Sequence, residues 1–317
     1  MAGKVEAICI SQHKGIPKTS VSSAQIRRDH GIEGDAHAGP WHRQVSILAH
    51  ENIETFKQSG RLDLQAGAFA ENLVVSGLEL SALGLGSRVR LGADVILSIT
   101  QLGKCCHHRC AIFHQTGDCI MPRVGLFARV VVGGDVNVGD RAEIEEVVPR
   151  AVFQAVVLTL SDRCAAGTAT DTTGPAVAAL LRESLPAHIY ATEILPDGRA
   201  GLAKRLRHYA DGHGIDLVIA AGGTGLAPRD ETPEAVRDVV ERLTPGFDEA
   251  MRQASMAVTP LAMLSRACSG IRGSTLILSL PGSERAAEEN LRAILPALPH
   301  GLAKLRGDPA DCGRPTT

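Results

Sequence analysis

The second half of the sequence alternates between apolar runs and amphipathic segments, and this alternation constrains the fold more than any other feature. The apolar runs predict strands over FQAVVLTLS, HIYATEIL, DLVIAAGG and STLILSLPG, and the segments that follow them predict helices over PAVAALLRESL, AGLAKRLRHYAD, PEAVRDVVERL and ERAAEENLRAIL. Strands that alternate with helices of about ten residues are typical of a mostly parallel sheet covered on both faces. The sequence therefore predicts a three-layer α/β domain.

The first half follows a different pattern, with short segments rich in Val, Ile and Leu separated by turns that contain Gly or Asp. Such segments predict strands, as in KVEAICIS, RQVSILAH and NLVVSG, whereas HENIETFKQSG predicts a helix. The pattern favours a β-rich, barrel-like domain. Because Pro149 stands between the two patterns, the predicted domains are residues 1–148 and 149–317.

Composition narrows the class of protein. A length of 317 residues suits two domains, and a net charge of −2 with 3% aromatic residues gives no basis for a nucleic-acid partner. No apolar run approaches the roughly 20 residues that span a bilayer, and MAGKVEAICISQHK lacks the pattern of a signal peptide. We therefore expect a cytoplasmic protein without a membrane partner.

A glycine-rich segment, GGTGLAPRDETPEA, follows the predicted strand DLVIAAGG. Glycines at such a point let backbone amides approach an anion, although a tight connection between strand and helix would also use them. The segment is neither a Walker loop nor a dinucleotide fingerprint, which argues against a nucleotide-binding oxidoreductase. The candidate phosphate-binding residues are Gly222, Gly223, Thr224 and Gly225.

Asp230 lies directly before the next predicted helix, for which Thr232 is the expected N-cap and Pro233 the expected first-turn residue. A carboxylate beside a phosphate-binding loop can hold Mg²⁺, which prefers one or two carboxylates together with phosphate oxygens. The alternative is that Asp230 only caps the helix. Glycines and carboxylate together favour a site for phosphate and metal.

Polar residues also follow the other predicted strands. Parallel sheets bind ligands beyond the carboxyl ends of their strands, so these residues are expected to lie near the glycine-rich segment. Each could serve an ordinary turn or cap, but a helix that begins after Ser283 offers a second anion site. The residues at these strand ends are Ser161, Asp162, Asp197, Gly282 and Ser283.

In this order and spacing, SDR…G…D…G, LPD, GGTG…PRD.TPEA and LPGS…EENL resemble the molybdopterin adenylyltransferase family over residues 153–308. The resemblance implies an α/β fold, usually trimeric, that moves AMP from Mg-ATP onto the terminal phosphate of molybdopterin and releases pyrophosphate. It implies Asp197 and Asp230 as the catalytic carboxylates that hold Mg²⁺. It also implies a pocket lined by Ser161, Asp162, Gly222, Gly223, Thr224, Gly225, Pro281, Gly282 and Ser283.

The sequence departs from that family at Leu226, Ala227 and Ser279. A related branch binds the pterin with doubtful adenylylation activity, so the alternative function is a non-catalytic carrier or scaffold for molybdopterin or the molybdenum cofactor. In the family the adenylylated pterin passes to a separate protein that inserts molybdate. The expected protein partners are therefore that molybdate-insertion protein and molybdoenzymes, and the expected assembly is a homotrimer.

The first half contains a stretch rich in cysteine and histidine, GKCCHHRCAIFHQTGDCIMPRVGLFARV. Structural zinc is one interpretation, although the candidate ligands from Cys106 to Cys110 are compressed into five residues. Buried, inert thiols are a second. A functional thiolate is the third, because the neighbouring cations Lys104, Arg109 and Arg123 would lower a thiol pKa.

This stretch, together with GIEGDAHAGPWHRQVSILAHENI and AGAFAENLVVSGLEL, resembles the MOSC domain, the C-terminal domain of molybdenum cofactor sulfurases, over residues 4–145. The resemblance implies a barrel-like domain that binds molybdenum cofactor or carries sulfur. Cys110 matches the family's molybdenum ligand best, and Cys106 and Cys119 are the alternatives. An anionic ligand could also contact His37, His42 and Arg43, although surface histidines are equally expected there.

Overall fold

The structure is a computed structural model that describes residues 2–60, 64–103, 113 and 118–309. The chain divides into two compact units, Met1–Ala151 and Val152–Thr317. Within the described residues, none of the helices combines the length and the apolar character needed to cross a membrane.

The first unit is built mainly from strands. Its helices include α1 (His50–Gly60), a 3-10 turn (Leu80–Ala82) and α2 (Met121–Val124). Its strands are β1 (Gly3–Ile10), β2 (Thr19–Val21), β3 (Ser23–Arg27), β4 (Gly31–Ile32), β5 (Val45–Ala49), β6 (Leu73–Ser76), β7 (Arg88–Leu91), β8 (Val95–Leu102), β9 (Leu126–Val132), β10 (Gly134–Asn137) and β11 (Arg141–Glu146).

Seven of these strands close into a barrel in the order β1-β11-β7-β8-β9-β5-β6, and β6 pairs with β1 again. β1 is long enough to pair with β11 at Gly3 and with β2 at Ile10. The prediction of a barrel-like domain is confirmed. The sequence did not predict β2, β3 and β4, because these strands are short and β2 and β3 are largely exposed, so no apolar run marks them.

The second unit is an α/β domain. Its strands are β12 (Phe153–Leu160), β13 (Ala187–Leu195), β14 (Leu217–Ala221), β15 (Arg242–Leu243), β16 (Gly270–Arg272) and β17 (Thr275–Leu280). Its helices are α3 (Asp162–Ala165), α4 (Thr173–Ser184), α5 (Arg199–Arg207), α6 (Thr232–Arg237), α7 (Pro245–Met256), α8 (Glu284–Ile294) and α9 (Leu298–Leu305), with a π-helical turn at His208–His213 and a 3-10 turn at Pro260–Leu264.

The sheet has the order β13-β12-β14-β17-β16-β15, in which the first four strands are parallel and the last two antiparallel. Every residue of β12, β14 and β17 is buried, which explains their continuous apolar sequences. One face packs against residues of α4, α7, α8 and α9 such as Val177, Met251, Leu291 and Leu302. The expected mostly parallel sheet is confirmed.

The helix predicted over residues 233–243 is wrong in its second half. α6 ends at Arg237, and Arg242–Leu243 forms β15 beside β16. The amide of Glu241 donates to the carbonyl of Ile271 at 2.8 Å, so pairing with a distant strand replaces the helical hydrogen bonds. The periodicity of a short apolar segment cannot show this competition, because the partner lies elsewhere in the chain.

Candidate functional site

The strands β12, β14 and β17 end side by side at one edge of the second unit's sheet. In the parallel register Thr159 pairs with Ala221, and Ala221 pairs with Leu280. The amide of Gly222 donates to the carbonyl of Leu280 at 3.0 Å, which extends the contact into the next loop. The loops after these strands therefore begin together, where sheets of this kind bind ligands.

The glycine loop, residues 222–226, has a backbone that suits glycine alone at its start. Gly222 and Gly223 have φ angles of +119° and +59°, a region that residues with a side chain rarely adopt. A Cβ atom at Gly222 would also lie 2.4 Å from the carbonyl oxygen of Leu160. Both backbone geometry and close packing therefore require glycine at position 222.

The amides of the glycine loop are available to a ligand. In the part of the chain that the structure describes, the backbone N–H groups of residues 223–226 donate to no protein acceptor. Backbone amides need a partner such as water or ligand when the protein supplies none, and successive amides in a turn form anion-binding concavities. This geometry supports the predicted phosphate-binding role of the loop.

Two carboxylates flank the glycine loop. A Cβ atom at Gly223 would lie 3.8 Å from Oδ1 of Asp197, and one at Gly225 would lie 2.8 Å from Oδ2 of Asp230. The structure thus brings Asp197 and Asp230 from separate loops to the two ends of one short backbone segment. Two carboxylates beside phosphate-binding amides are a donor set that suits Mg²⁺.

Asp197 is held in place by Asp162. The amide of Asp197 donates to Oδ1 of Asp162 at 3.0 Å, and the amide of Asp162 donates to Oδ2 of Asp197 at 3.3 Å. The neighbouring Ser161 is the N-cap of α3, since its hydroxyl accepts from the amide of Cys164 at 3.3 Å. Ser161 therefore has a local structural role, and Asp162 orients a predicted catalytic carboxylate.

Asp230 does not cap the helix that follows it. Its Oδ2 accepts from the amide of Ala227 at 2.9 Å, so it closes a turn within its own loop. The N-cap of α6 is Glu231, not Thr232 as predicted. The amide of Thr232 donates to the carbonyl of Gly223 at 3.1 Å, which fixes Thr232 one position further along as the first residue of the helix.

The loop after β17 lies against the glycine loop. A Cβ atom at Gly282 would lie 3.2 Å from the Cα of Gly222, and the hydroxyl of Thr173 donates to the carbonyl of Gly282 at 3.0 Å. Ser283 is the N-cap residue of α8, yet its side chain makes no capping hydrogen bond. Gly282 therefore lies against the glycine loop, between Pro281 and Ser283, and the amides at the start of α8 follow directly after it.

The cysteines predicted to act in the first unit are placed only in part. Cys106 and Cys110 lie outside the described residues, as do Lys104 and Arg109. Cys119 is 9% exposed and packs in an apolar cluster with Leu48, Ile53, Phe69, Val74, Ile120, Met121 and Phe127. These surroundings favour a buried structural thiol at Cys119. Among the described residues, no three His, Cys, Asp or Glu side chains converge on a possible metal position.

Arg123 is paired with an acid rather than with a thiol. Its guanidinium donates to both carboxylate oxygens of Asp118, at 3.1 Å and 2.6 Å. This ion pair raises the pKa of Arg123, chiefly through the hydrogen bond to Asp118, and the carboxylate offsets the positive charge. A smaller electrostatic interaction with Cys119 also raises this pKa, so Arg123 acts on that thiol as well as on its main partner, Asp118.

His37 belongs to a buried polar cluster. Lys18 Nζ donates to Oδ2 of Asp35 at 2.6 Å and lies 3.3 Å from Nδ1 of His37. The His37 ring stacks on Trp41 with centroids 6.3 Å apart, and Lys14 Nζ lies 4.8 Å from the centroid of the Trp41 ring. Because the buried carboxylate of Asp35 neutralises Lys18, the groups left to contact an anionic ligand are the exposed Lys14 and the half-buried His37.

His42 and Arg43 converge on one side chain near the cysteine-rich stretch. Nε2 of His42 lies 3.1 Å from Oε1 of Gln101, and Nε of Arg43 donates to the same oxygen at 2.6 Å. Nε2 of Gln101 donates to the carbonyl of Gly103 at 3.0 Å, directly before the undescribed residues 104–112. The structure thus brings these two predicted residues together beside that stretch.

Comparison with known proteins assigns each half of the chain. Residues 34–143 match the MOSC domain, and residues 156–300 match the family described as a probable molybdopterin binding domain. The molybdopterin adenylyltransferase of Helicobacter pylori strain ATCC 700392 / 26695 is 41% identical over 154 residues, which are 48% of this chain and 87% of that protein. The chain belongs to the molybdopterin adenylyltransferase family.

Part of this molybdopterin adenylyltransferase family member is also similar to parts of longer proteins. The molybdenum cofactor biosynthesis bifunctional protein of Chlorobaculum tepidum is 35% identical over 177 residues, 55% of this chain and 54% of that protein. Gephyrin of Dictyostelium discoideum is 38% identical over 162 residues, 48% of this chain and 22% of that protein. The chain spans only about half of the first relative and about a fifth of the second. Together with the match to the Helicobacter pylori protein, the name of the first relative supports a role in molybdenum cofactor biosynthesis.

The glycine loop is also held by a residue that the sequence did not predict. Arg266 donates from its backbone amide to the carbonyl of Thr224 at 2.9 Å and from Nε to the carbonyl of Gly225 at 2.7 Å. Sequence separation hides this contact, because an isolated arginine more than 35 residues after the loop carries no local signal. A sequence rule that paired loop carbonyls with distant arginines would be needed to find it.

The departures from the family's pattern have local explanations. Ser279 lies in β17, where its hydroxyl accepts from the amide of Cys268 at 2.7 Å and donates to the carbonyl of Cys268 at 2.8 Å. Leu226 is 63% exposed, so its apolar side chain is not part of the core. Ala227 contributes its amide to Asp230 and needs no polar side chain for that bond.

Proposed function

We propose that residues 149–317 transfer AMP from Mg-ATP to molybdopterin and release pyrophosphate. The observation that carries the proposal is the placement of Asp197 and Asp230 beside a glycine loop in which the amides of residues 223–226 donate to no acceptor within the described residues. The activity named for the Helicobacter pylori relative supports the same reaction.

The chemistry fits a site made of amides and carboxylates. An oxygen of the molybdopterin phosphate attacks the α-phosphorus of ATP, the new P–O bond forms there, and the bond from that phosphorus to the bridging oxygen breaks so that pyrophosphate leaves. A phosphate oxygen is already ionised near neutral pH, so the nucleophile needs no general base. The site must instead hold the reactants in line and offset their negative charge.

The residues present fit a magnesium ion that is shared with the substrate. Mg²⁺ usually binds one or two carboxylates and completes its shell with phosphate oxygens and water, so a cage of three protein ligands is not required. Asp197 and Asp230 would hold the ion, which supplies positive charge beside the phosphates. The amides of residues 223–226 bind phosphate oxygens, and Asp162 keeps Asp197 oriented.

For the first unit, we propose binding of molybdenum cofactor or of transferable sulfur through Cys110. The match to the MOSC domain supports this role, and a soft thiolate suits molybdenum or persulfide sulfur. The cationic side chains around Trp41 and Gln101 would contact the anionic part of such a ligand. Cys106 is the alternative thiol, and Cys119 is less suited because it packs in an apolar cluster.

A single assay separates the enzyme from a carrier. Purified protein is incubated with molybdopterin, ATP and Mg²⁺, while pyrophosphate release is followed and the bound pterin is weighed by mass spectrometry. We expect release that depends on pterin and a pterin heavier by one adenylyl group. Bound pterin of unchanged mass with ATP intact would instead establish the non-catalytic carrier.

The proposed function also includes an oligomeric state, a localisation and protein partners. We propose a cytoplasmic homotrimer that passes adenylylated pterin to a molybdate-insertion protein and thereby serves molybdoenzymes. Light scattering on the purified chain should give a mass of three chains. A monomer at assay concentration with full turnover would remove the trimer from the proposal and leave the chemistry in place.

A further inference from the structure

Arg266 forms hydrogen bonds with two residues of the glycine loop, with one residue after the loop and with one residue of α6. Besides its bonds to the carbonyls of Thr224 and Gly225, its Nη2 donates to the carbonyl of Asp230. Its Nη1 donates to Oε1 of Glu234 in α6 at 2.5 Å. A single residue therefore fixes three backbone carbonyls of the segment 224–230 and joins them to the helix that follows.

The direction of these carbonyls sets the direction of the amides. In a planar trans peptide the C=O and the N–H of the next residue point to opposite sides. Because the carbonyls of Thr224 and Gly225 point to Arg266, the amides of Gly225 and Leu226 point away from it. Both amides donate to no acceptor in the described chain. The backbone amide of residue 266 holds the Thr224–Gly225 peptide whatever its side chain, whereas the guanidinium itself orients the Gly225–Leu226 peptide and thus the amide of Leu226.

The same guanidinium also helps to position the proposed catalytic carboxylate of Asp230. Its bond to the carbonyl of Asp230 fixes the backbone from which that side chain extends. Since Oδ2 of Asp230 also accepts from the amide of Ala227, the turn 227–230 is held at both its backbone and its side chain. The Asp230 carboxylate is therefore positioned before a substrate binds.

The anchor of Arg266 is itself rigid. Two residues later, Cys268 is 3% exposed and exchanges two hydrogen bonds with the hydroxyl of Ser279 in the central strand β17. The Glu234 carboxylate holds the far side of the guanidinium, at 2.5 Å from Nη1 and 3.4 Å from Nη2. Arg266 thus connects the glycine loop to the sheet through the segment that is bonded to β17.

We propose that Arg266 is a positioning residue of the AMP transfer, which orients the glycine-loop amides and the Asp230 carboxylate toward the phosphates. This role rests on the proposed function of the second unit. Lysine cannot replace it, because one ammonium group cannot reach two carbonyls and a carboxylate in the planar geometry of a guanidinium.

Arg272 offers a matched control. Its guanidinium also makes a paired contact with a carboxylate, at 2.7 Å and 2.8 Å to Asp211, and donates to the carbonyl of Val239 at 3.0 Å. Arg272→Ala therefore removes a similar set of bonds without touching the glycine loop. Its melting temperature is expected to fall, while kcat and KM change by less than about twofold.

The test compares wild type, Arg266→Lys, Arg266→Ala and Arg272→Ala at a temperature at which circular dichroism shows each to be folded. Loss of oriented donors to a transition state typically costs about 10²-fold in kcat, so we expect kcat of Arg266→Ala to fall by about that factor and Arg266→Lys to lie between it and wild type. Addition of guanidinium ion should restore part of the activity of Arg266→Ala alone.

Two results would overturn the proposal. One is wild-type kcat in folded Arg266→Ala, and the other is equal loss of kcat in Arg272→Ala, which would show a general effect of stability. If wild type releases no pyrophosphate, the proposed function fails separately. The positioning role is then decided by titration calorimetry with Mg-ATP, where it requires weaker binding in Arg266→Ala than in Arg272→Ala and is refuted by equal affinities.

Discussion

Asp162 and Asp197 exchange hydrogen bonds between the loops that follow β12 and β13, each carboxylate accepting from the backbone amide of the other residue. The pair lies across adjacent parallel strands, in which Leu160 is in register with Leu195. The exchange leaves Oδ1 of Asp197 directed toward Gly223. A substitution at Asp197 can therefore remove its charge without dissolving the connection between the loops, provided that the new side chain still accepts a hydrogen bond.

Asp197→Asn meets that condition. The amide oxygen of asparagine can accept from the amide of Asp162, but the neutral side chain cannot hold a divalent cation well. We expect kcat/KM for pyrophosphate release to fall by about 10²-fold or more while the melting temperature stays within about 2 °C of wild type. Asp211→Asn, which removes an exposed carboxylate paired with Arg272, serves as the control and should keep its turnover. Full turnover in folded Asp197→Asn would refute a catalytic role for this carboxylate.

Gly222→Ala should damage both stability and activity. The residue has a φ of +119°, and the added Cβ would lie 2.4 Å from the carbonyl oxygen of Leu160, so the loop must shift. Backbone strain of this kind costs about 1–3 kcal/mol of unfolding free energy. The displaced amides should also raise KM for Mg-ATP. Denaturant unfolding and steady-state kinetics on the same preparation measure the two effects.

The control for that substitution is Gly201→Ala. Gly201 lies in α5 with no heavy atom within 4 Å of the position that a Cβ would take. Alanine is favoured over glycine in a helix by about 0.5–1 kcal/mol, so this variant should be slightly more stable than wild type and fully active. If Gly222→Ala behaves like Gly201→Ala, the glycine at position 222 is not needed for the loop.

How much of this site the sequence could predict depends on the range of the interactions. The strands β12, β14 and β17 were evident because each is buried along its whole length and is therefore apolar throughout. Once they are parallel neighbours, the loops after them must share an edge. The convergence of Asp197, Asp230 and the glycine loop follows from that topology, without knowledge of side-chain contacts.

The parts that could not be predicted depend on single distant contacts. α7 was missed because Asp248 interrupts its apolar face, although the structure buries this carboxylate against the amide of Ser269 at 3.0 Å and its hydroxyl at 2.6 Å. Arg266 was missed because its partners are backbone carbonyls, which every residue possesses. Sequence patterns report burial and local propensity, and neither reveals which distant polar group satisfies another.

The ion pair between Lys18 and Asp35 predicts an acid-sensitive first unit. Burial alone would raise the pKa of Asp35, but hydrogen bonds from His37 and Lys18 together hold it well below its usual range. A depressed pKa in the folded state adds stability that is fully present above the unfolded value, near 3.9, and is lost as pH falls toward the folded value. We expect the unfolding free energy of the first-unit transition to decrease below about pH 4.

Asp35→Asn tests this dependence. It leaves the buried Lys18 ammonium without its counter-charge, which should cost about 3–5 kcal/mol at neutral pH and flatten the decrease in acid. Asp135→Asn, an exposed carboxylate of β10, should follow the wild-type curve. Denaturant titrations in buffers between pH 2 and 7 give the unfolding free energy as a function of pH for wild type and both variants. Parallel curves for wild type and Asp35→Asn would contradict the assignment.

Substitutions of two cysteines in the first unit distinguish a functional thiol from a structural one. Cys119 packs among apolar side chains, so Cys119→Ser should place a more polar hydroxyl in that cluster and lower the unfolding free energy by about 1–3 kcal/mol, with bound cofactor unchanged. Cys110→Ser should instead abolish retention of molybdenum or transferable sulfur and spare pyrophosphate release, because a serine hydroxyl stays protonated near neutral pH and is a poor ligand for soft metals. Thermal melting and elemental analysis distinguish these results, and stoichiometric zinc lost from Cys110→Ser would establish a zinc site. If Cys110→Ser retains molybdenum and sulfur at the wild-type level, the functional thiol is not Cys110, and Cys106→Ser is the next variant to measure.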